Sequence, residues 1–365
     1  MARRLVVKVG SSSLTSPDGR LDIGRLVALT NAISARYRDS SVVLVSSGAI
    51  AAGMGPLGLR RRPKDLATQQ AAASVGQGAL VAAYQQAFGA HGVTVGQVLL
   101  TIDDVTRRSH YLNARRTLER LLELRVLPVI NENDTVATQE IRYGDNDRLG
   151  ARVAEMTSSD VLVLLSDVDG LYDGDPTLNA GATLIPEVRE LTPAIEALAG
   201  ASATEYGSGG MVTKLVAARI CMNAGCATVI ASGRRLHPLQ AIEDGAACTW
   251  FLPGRTPRQA RKQWIAGTLV PRGTLHIDAG AERALRGGSS LLPVGVLEVS
   301  GEFQAGDAVV VRGAGGRDLA RGLVACSSEE ARRIRGRRSE ELAGLLGYSA
   351  REEMIHRDNL ALLDN

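Results

Sequence analysis

Aromatic side chains make up only 3% of this 365-residue chain, and its four cysteines, Cys221, Cys226, Cys248 and Cys326, contain no CxxC pair and no histidine at zinc-ligand spacing. Few aromatics argue against a base-stacking surface. The cysteine spacing argues against a zinc site and leaves buried, reduced thiols in a reducing compartment. No run of about 18 apolar residues occurs, and the few apolar residues between the N-terminal arginines and Lys8 are too short for a signal-peptide core. A cytoplasmic location with no membrane partner is therefore expected. A formal charge of +3 is too small to imply a polyanion partner. Both common phosphate signatures, Walker A and GxGxxG after a strand, are missing.

What the chain does have is glycine, 40 residues of 365, above the usual share of about 7% and suited to tight turns and close backbone approach to ligands. Its length exceeds one ordinary core, so two domains are expected. Continuous Val/Ile/Leu runs predict strands over Leu5–Val9, Val42–Val45, Val93–Leu100, Val126–Ile130, Val161–Leu165 and Ala227–Ala231. Helix-period segments lie between them at Gly24–Tyr37, Ala67–Phe88, Ser109–Leu124 and Met211–Ala224. This alternation reads as α/β, a mainly parallel sheet between helical layers, over residues 1–252. The Pro- and Arg-rich stretch from Pro253 to Trp264 opens a linker taken to residue 273. Short strands separated by glycine then predict a small β-rich domain over residues 274–360, closed by the helical segments SEEARRI and SEELAGLL.

Loops that follow strands of an open parallel sheet converge on one crevice. Here they are VVKVGSSSLT, SSGAIAAG, NENDTV, GDNDRL, LLSDVDGLY and GSGGMVTK. Lys8 ends the first strand ahead of a Gly-Ser loop whose backbone N–H and hydroxyl groups could wrap phosphate oxygens. Lys214 lies in the first turn of a helix that follows a glycine-rich turn, where helix N–H groups face an anion. NENDTV and GDNDRL bring Asn131, Asn133, Asp134, Asp145, Asn146 and Asp147 together, a density suited to an ammonium group or a metal and to orienting the lysines, although Asn146 or Asp147 would also serve as a helix N-cap. Ser166 and Asp167 stand at a strand end as a nucleotide-side loop. The EF-hand reading of SDVDG fails because Leu171 and Leu178 occupy ligand positions. HRDNLALLDN fails as a kinase catalytic loop because Leu363 stands where asparagine is required. The cluster Arg332, Arg333, Arg335, Arg337 and Arg338 is interleaved with glutamates and reads as a solvated helical face.

The order and spacing of VVKVGSS, SSGAIAAG, NENDTV, GDNDRL, SDVDGLY and GSGGMVTK resemble the amino acid kinase family. The tail, with WIAGTLVPRGTLHIDAGA, RGGSSLLPVGV, GRDLARG and HRDNL, resembles a PUA domain. The resemblance covers nearly the whole chain and implies the three-layer sandwich of that family. It further implies ATP-dependent, Mg²⁺-requiring phosphorylation of the γ-carboxylate of L-glutamate, the first step toward proline. Carried over residue by residue, Lys8 and Lys214 bind the ATP phosphates and offset transition-state charge, while Asp147 holds both lysines. Ser47, Asp134 and Asn146 match the glutamate-binding positions. Ser166, Asp167 and the loop Ser208, Gly209, Gly210, Met211, Val212, Thr213 and Lys214 match the nucleotide-binding ones. Ser166 and Ser208 replace the threonine of some relatives and keep the hydroxyl. The resemblance also implies feedback inhibition by proline and a homo-oligomer, dimer or tetramer. RNA binding by the PUA domain is not favoured, because its basic residues are balanced by acids. The chemistry agrees with the residues. A carboxylate with a solution pKa of about 4.3 is an ionised nucleophile at pH 7 and needs no histidine base.

Overall fold

The computed structural model describes residues 3–16, 20–136, 145–179, 181–200, 210–267, 269–346 and 352–363. The chain divides into two compact units, Met1–Pro257 and Arg258–Asn365.

In the first unit the strands are β1 (Arg4–Val9), β2 (Ser41–Ser46), β3 (Val95–Leu100), β4 (Leu127–Glu132), β5 (Val161–Ser166), β6 (Leu171–Tyr172), β7 (Leu184–Ile185), β8 (Glu187–Val188), β9 (Ala227–Ser232) and β10 (Cys248–Phe251). Eight of them form one sheet in the order β3-β4-β2-β1-β5-β9-β10-β8. From β3 to β9 every pairing is parallel, with Leu5 opposite both Val42 and Val161, and Val161 opposite Ala227. Only β10 runs antiparallel to its neighbour β9. The apolar runs of the sequence thus became the six consecutive parallel strands, β3 to β9, of the mainly parallel sheet that the patterning predicts.

Side chains of a strand point alternately to opposite faces, and the two faces hold separate cores. Val6, Val43, Val45, Leu162 and Leu164 pack with Leu149, Leu215 and Leu118 from helices Asp145–Met156, Met211–Asn223 and Arg108–Glu123. Val7, Val9, Val42, Leu44 and Val163 pack instead with Leu26, Ile33, Leu80 and Tyr84 from helices Ile23–Tyr37 and Leu66–Gly89. Fully burying each such Val or Leu contributes about 1.5–3 kcal/mol. The period of two therefore turns Lys8, between Val7 and Val9, toward helices Asp145–Met156 and Met211–Asn223.

The helices start and stop where side chains satisfy their orphan backbone groups. Asp22 and Asp65 accept from Arg25 N–H and Thr68 N–H at 3.0 and 2.9 Å. The helix Met211–Asn223 ends in a turn at Gly225, whose φ of +76° suits only glycine and whose missing Cβ admits the carbonyl of Thr256.

The second unit is built on a five-stranded sheet, β12-β11-β13-β14-β15, made of β11 (Gly273–Ile277), β12 (Val296–Gly301), β13 (Ala308–Arg312), β14 (Asp318–Leu323) and β15 (Leu360–Leu362). Leu275, Ile277, Phe303, Val309, Val311 and Ile334 fill its main core. The stretch expected as a linker carries the helix Pro257–Gly267, whose Ile265 packs with Leu269, Ala308, Leu323 and Ala361. The HRDN segment has a structural role: Asn359 Oδ1 and the Asp358 carbonyl accept from Arg261 at 2.6 and 3.2 Å. Arg332 reaches Glu302 at 2.7 Å and Arg337 reaches Glu341 at 3.6 Å, as a solvated face would have it.

Candidate active site

The chain leaves β1 toward β2 on one side and later crosses to β5 on the other, so the C-terminal edge beside β1 is the switch point of the sheet, where open α/β sheets bind ligands. Loops continue the pairing past the strand ends there. Gly10 N–H donates to the Leu165 carbonyl at 3.2 Å, Ser47 N–H to the Val9 carbonyl at 3.2 Å, and Gly233 N–H to the Ser166 carbonyl at 2.7 Å.

At this edge Asp147 lies between the two lysines. Lys8 Nζ stands 2.6 Å from Asp147 Oδ1, and Lys214 Nζ stands 3.3 Å from Asp147 Oδ2. Thr213 Oγ1 is within donating distance of both Asp147 Oδ2, at 3.0 Å, and the Gly210 carbonyl, at 2.9 Å. Asp147 is fully buried, and Lys8 and Lys214 are 8% and 5% exposed. Burial pushes the Asp147 carboxyl up, but the ammonium charges of Lys8 and Lys214, with the hydrogen bonds from Lys8 and Thr213, outweigh it and hold the group below the usual carboxylate range. Asp147 is therefore ionised at neutral pH. Its place in the first turn of helix Asp145–Met156 adds a favourable interaction with the helix dipole. The N-cap alternative for Asn146 and Asp147 does not hold, since both lie inside the helix and turn their side chains to the site.

On the β2 side of Lys8, Asn146 Nδ2 faces Ser47 Oγ at 2.8 Å, the Ser46 carbonyl at 3.3 Å and Asn131 Oδ1 at 3.3 Å. Asn146 Oδ1 is buried and accepts no hydrogen bond among the described residues. Asp134 lies two residues beyond β4. Burial pushes its carboxyl up to about 6, with the charge of Arg62 opposing. Among the described residues it makes no hydrogen bond to Ser47 or Asn146, so its link to that pair is through position at the same edge.

On the β5 side, Ser166 closes β5 nearly buried and donates to Asp167 Oδ1 at 2.9 Å. The helix Met211–Asn223 begins at Gly210 with no side-chain cap among the described residues; Thr213 N–H donates to the Gly210 carbonyl at 3.0 Å, and the helix start ahead of it is of the kind that faces an anion. Met211 and Thr213 are half-buried, and Gly210 and Val212 are exposed. Ser208 and Gly209 lie outside the described residues. Thus Lys8, Asp147, Thr213 and Lys214 form one cluster and Ser47 and Asn146 a second beside it, the two meeting where Asn146 and Asp147 are neighbours on helix Asp145–Met156. Among the described residues no group of three His, Cys, Asp or Glu could cage a metal ion.

The sequence gives no role to Ser46, Gln77 or Tyr84, and gives Asn131 only a place in the cluster of carboxylates and amides. Asn131 Nδ2 donates to Gln77 Oε1 at 2.7 Å, and Ser46 Oγ and Tyr84 OH share a hydrogen bond of 2.9 Å. NENDTV was the signal for Asn131. Gln77 and Tyr84 sit in an Ala- and Gln-rich helix with no motif to mark them.

Known proteins resemble this chain over nearly its whole length. The model of the amino acid kinase family matches residues 3–232, and that of the PUA domain matches residues 273–346. A glutamate 5-kinase of Paramagnetospirillum magneticum is 56% identical over 99% of this chain and 98% of its own length. Glutamate 5-kinases of Rhodopseudomonas palustris and Bradyrhizobium diazoefficiens are 54% and 53% identical, each over 99% of this chain and over 96% and 97% of their own lengths. With its Lys8–Asp147–Lys214 bridge at the switch point of a mainly parallel sheet, the chain belongs to the amino acid kinase family and carries a C-terminal PUA domain.

Proposed function

We propose that the chain transfers the γ-phosphoryl group of ATP to the γ-carboxylate of L-glutamate, giving L-glutamyl 5-phosphate in the first step of proline synthesis. The observation that carries the reading is the buried bridge Lys8–Asp147–Lys214, with the hydrogen-bonded group of Ser47, Asn131 and Asn146, the amide pocket, on one side and a helix start without a side-chain cap among the described residues on the other. Full-length similarity above 50% to glutamate 5-kinases supports glutamate as the acceptor.

The reaction brings two anions together in line and spreads negative charge over the transferring group. In our reading Lys8 and Lys214 neutralise that charge from within a low-dielectric site, where fixed charges act most strongly. Asp147 holds the two ammonium groups in register, and Thr213 orients Asp147. Ser47, Asn146 and Asp134 hold the amino-acid end of glutamate, the Asn146 carbonyl oxygen accepting from its ammonium group. Ser166, Asp167 and the segment Ser208–Lys214 hold the nucleotide. Mg²⁺ is assigned to the ATP phosphates, whose charge it would help to neutralise during transfer. From the family resemblance we carry over inhibition by proline in the glutamate half and a homo-oligomer, dimer or tetramer. No helix among the described residues is long and apolar enough to cross a membrane.

The test is acyl phosphate formation from L-glutamate, ATP and Mg²⁺, trapped as the hydroxamate. Lys8→Ala and Lys214→Ala are each expected to lower kcat roughly 10²- to 10³-fold. Turnover with aspartate, N-acetylglutamate, carbamate or UMP in place of glutamate would overturn the acceptor assignment.

A further inference from the structure

Helix Leu66–Gly89 lies beneath the amide pocket and sends two polar side chains toward it, Gln77 and Tyr84, seven residues or about two turns apart on one face. Tyr84, fully buried, meets Ser46 Oγ, and Gln77 meets Asn131. Resting on the reading that glutamate is the acceptor, we infer that Gln77 is a positioning residue: it anchors Asn131, and through Asn131 it keeps the carbonyl oxygen of Asn146 turned to the ammonium group of glutamate.

The polarity of this chain of amides follows from two backbone groups that have no choice. The N–H of Glu132 only donates, and it donates to Asn131 Oδ1 at 2.9 Å. The oxygen of Asn131 therefore faces Glu132, and its NH₂ faces Gln77, which must answer with Oε1 at 2.7 Å. At the other end the carbonyl of Ser46 only accepts, so Asn146 presents its NH₂ there and shares the two protons among Ser46 O, Ser47 Oγ and Asn131 Oδ1. One orientation of three amides satisfies all of these contacts. It leaves Asn146 Oδ1 buried with no partner among the described residues. A buried acceptor in that state is costly unless a ligand supplies a donor, and an amino acid supplies one in its ammonium group.

Gln77 touches neither Asn146 nor the lysine bridge in any contact described above, so its influence runs through Asn131, itself only 2% exposed. Methionine at position 77 keeps the length of the side chain but removes the acceptor. Asn131 Nδ2 then faces an apolar group and cannot turn over without setting its NH₂ against Glu132 N–H. Glutamate at position 77 keeps an oxygen acceptor in nearly the same place.

The experiment measures KM for glutamate and for ATP in wild type, Gln77→Met and Gln77→Glu, together with the rise in Tm that glutamate produces in each protein against its own unliganded baseline. Gln77→Met is expected to raise KM for glutamate roughly tenfold, about the factor one hydrogen bond carries, with KM for ATP unchanged and the glutamate-dependent rise in Tm reduced. Gln77→Glu is expected to stay within about threefold of wild type, because its carboxylate accepts the same bond. The Tm readout keeps the test valid where Gln77→Met lowers basal stability. Wild type that makes no acyl phosphate from glutamate defeats the acceptor reading itself. Wild type that turns glutamate over, combined with a Gln77→Met that is normal, that matches Gln77→Glu, or that shifts both KM values equally, defeats the role of Gln77 alone.

Discussion

At the scale of single residues, the site sorts two carboxylates, the buried Asp147 and the half-buried Asp134, by their neighbours. Asp147 has two ammonium groups and a hydroxyl, which outweigh burial and keep it ionised. Asp134 has mainly burial, and the charge of Arg62 offsets it only in part, so its carboxyl is pushed up to about 6. The signs differ in consequence. The depressed Asp147 contributes stability that is complete above its unfolded pKa of about 3.9 and is lost as pH falls through its folded value. The raised Asp134 instead costs stability progressively as pH climbs from about 3.9 to about 6. If, as proposed, Asp134 meets the ammonium group of glutamate, that charge favours its ionised form and binding below pH 6 expels a proton. We expect kcat/KM for glutamate to fall up to about tenfold per pH unit below 6 in wild type, and that limb to be absent in Asp134→Asn. A limb with the same midpoint in Asp134→Asn would assign it to another group.

At the scale of elements, the position of the amide pocket depends on two helices whose backbones come into direct contact. A Cβ on Gly53 would fall 1.8 Å from the Ala72 carbonyl oxygen, and one on Gly76 would fall 1.8 Å from the Ala49 carbonyl oxygen. Helix Ala49–Met54 thus nests on helix Leu66–Gly89 as closely as two backbones can. It begins just after Ser47, at Gly48 with φ +102°. Gly76→Ala must pry the helices apart, an overpacking that costs about 1–3 kcal/mol and lowers Tm by several degrees. Because Ser47 moves with the helix, KM for glutamate is expected to rise while KM for ATP holds. An unchanged Tm would show that the crossing has slack. This element marks where the sequence stopped being legible. Strands such as Leu5–Val9 and Val161–Leu165 announced themselves as apolar runs, and Lys8, Asp147 and Lys214 by the loops that hold them. Helix Leu66–Gly89 was visible, but Gly53, Gly76, Gln77 and Tyr84 act by close approach to distant backbone and side chains, which a linear pattern does not encode. The reversed strand β10 was hidden for a related reason: CTWF is short, and only its pairing with β9 gives it a direction.

At the scale of the whole molecule, the distribution of buried side chains separates chemistry from the rest. Every member of the two cores that flank the large sheet lies between Val6 and Phe251, and every member of the remaining cores lies between Ile265 and Ala361. The bridge and the amide pocket draw only on the first group. The helix Pro257–Gly267 adds Ala260 and Ile265 to the buried set, and its Arg261 is fastened to Asp358 and Asn359. A chain ended at Pro257 therefore loses no side chain of the first two cores and none of the site. That truncated chain is expected to fold cooperatively and to form glutamyl hydroxamate with KM values for ATP and glutamate within a few-fold of the full chain. Calorimetry of the full chain is expected to resolve two transitions, since a single all-or-none transition is the behaviour of single domains. Only one of them should rise when ATP and glutamate are added together, because a ligand stabilises the unit that binds it. One merged transition that rises as a whole, or a truncated chain that folds without turning over, would mean that the second unit completes the catalytic one.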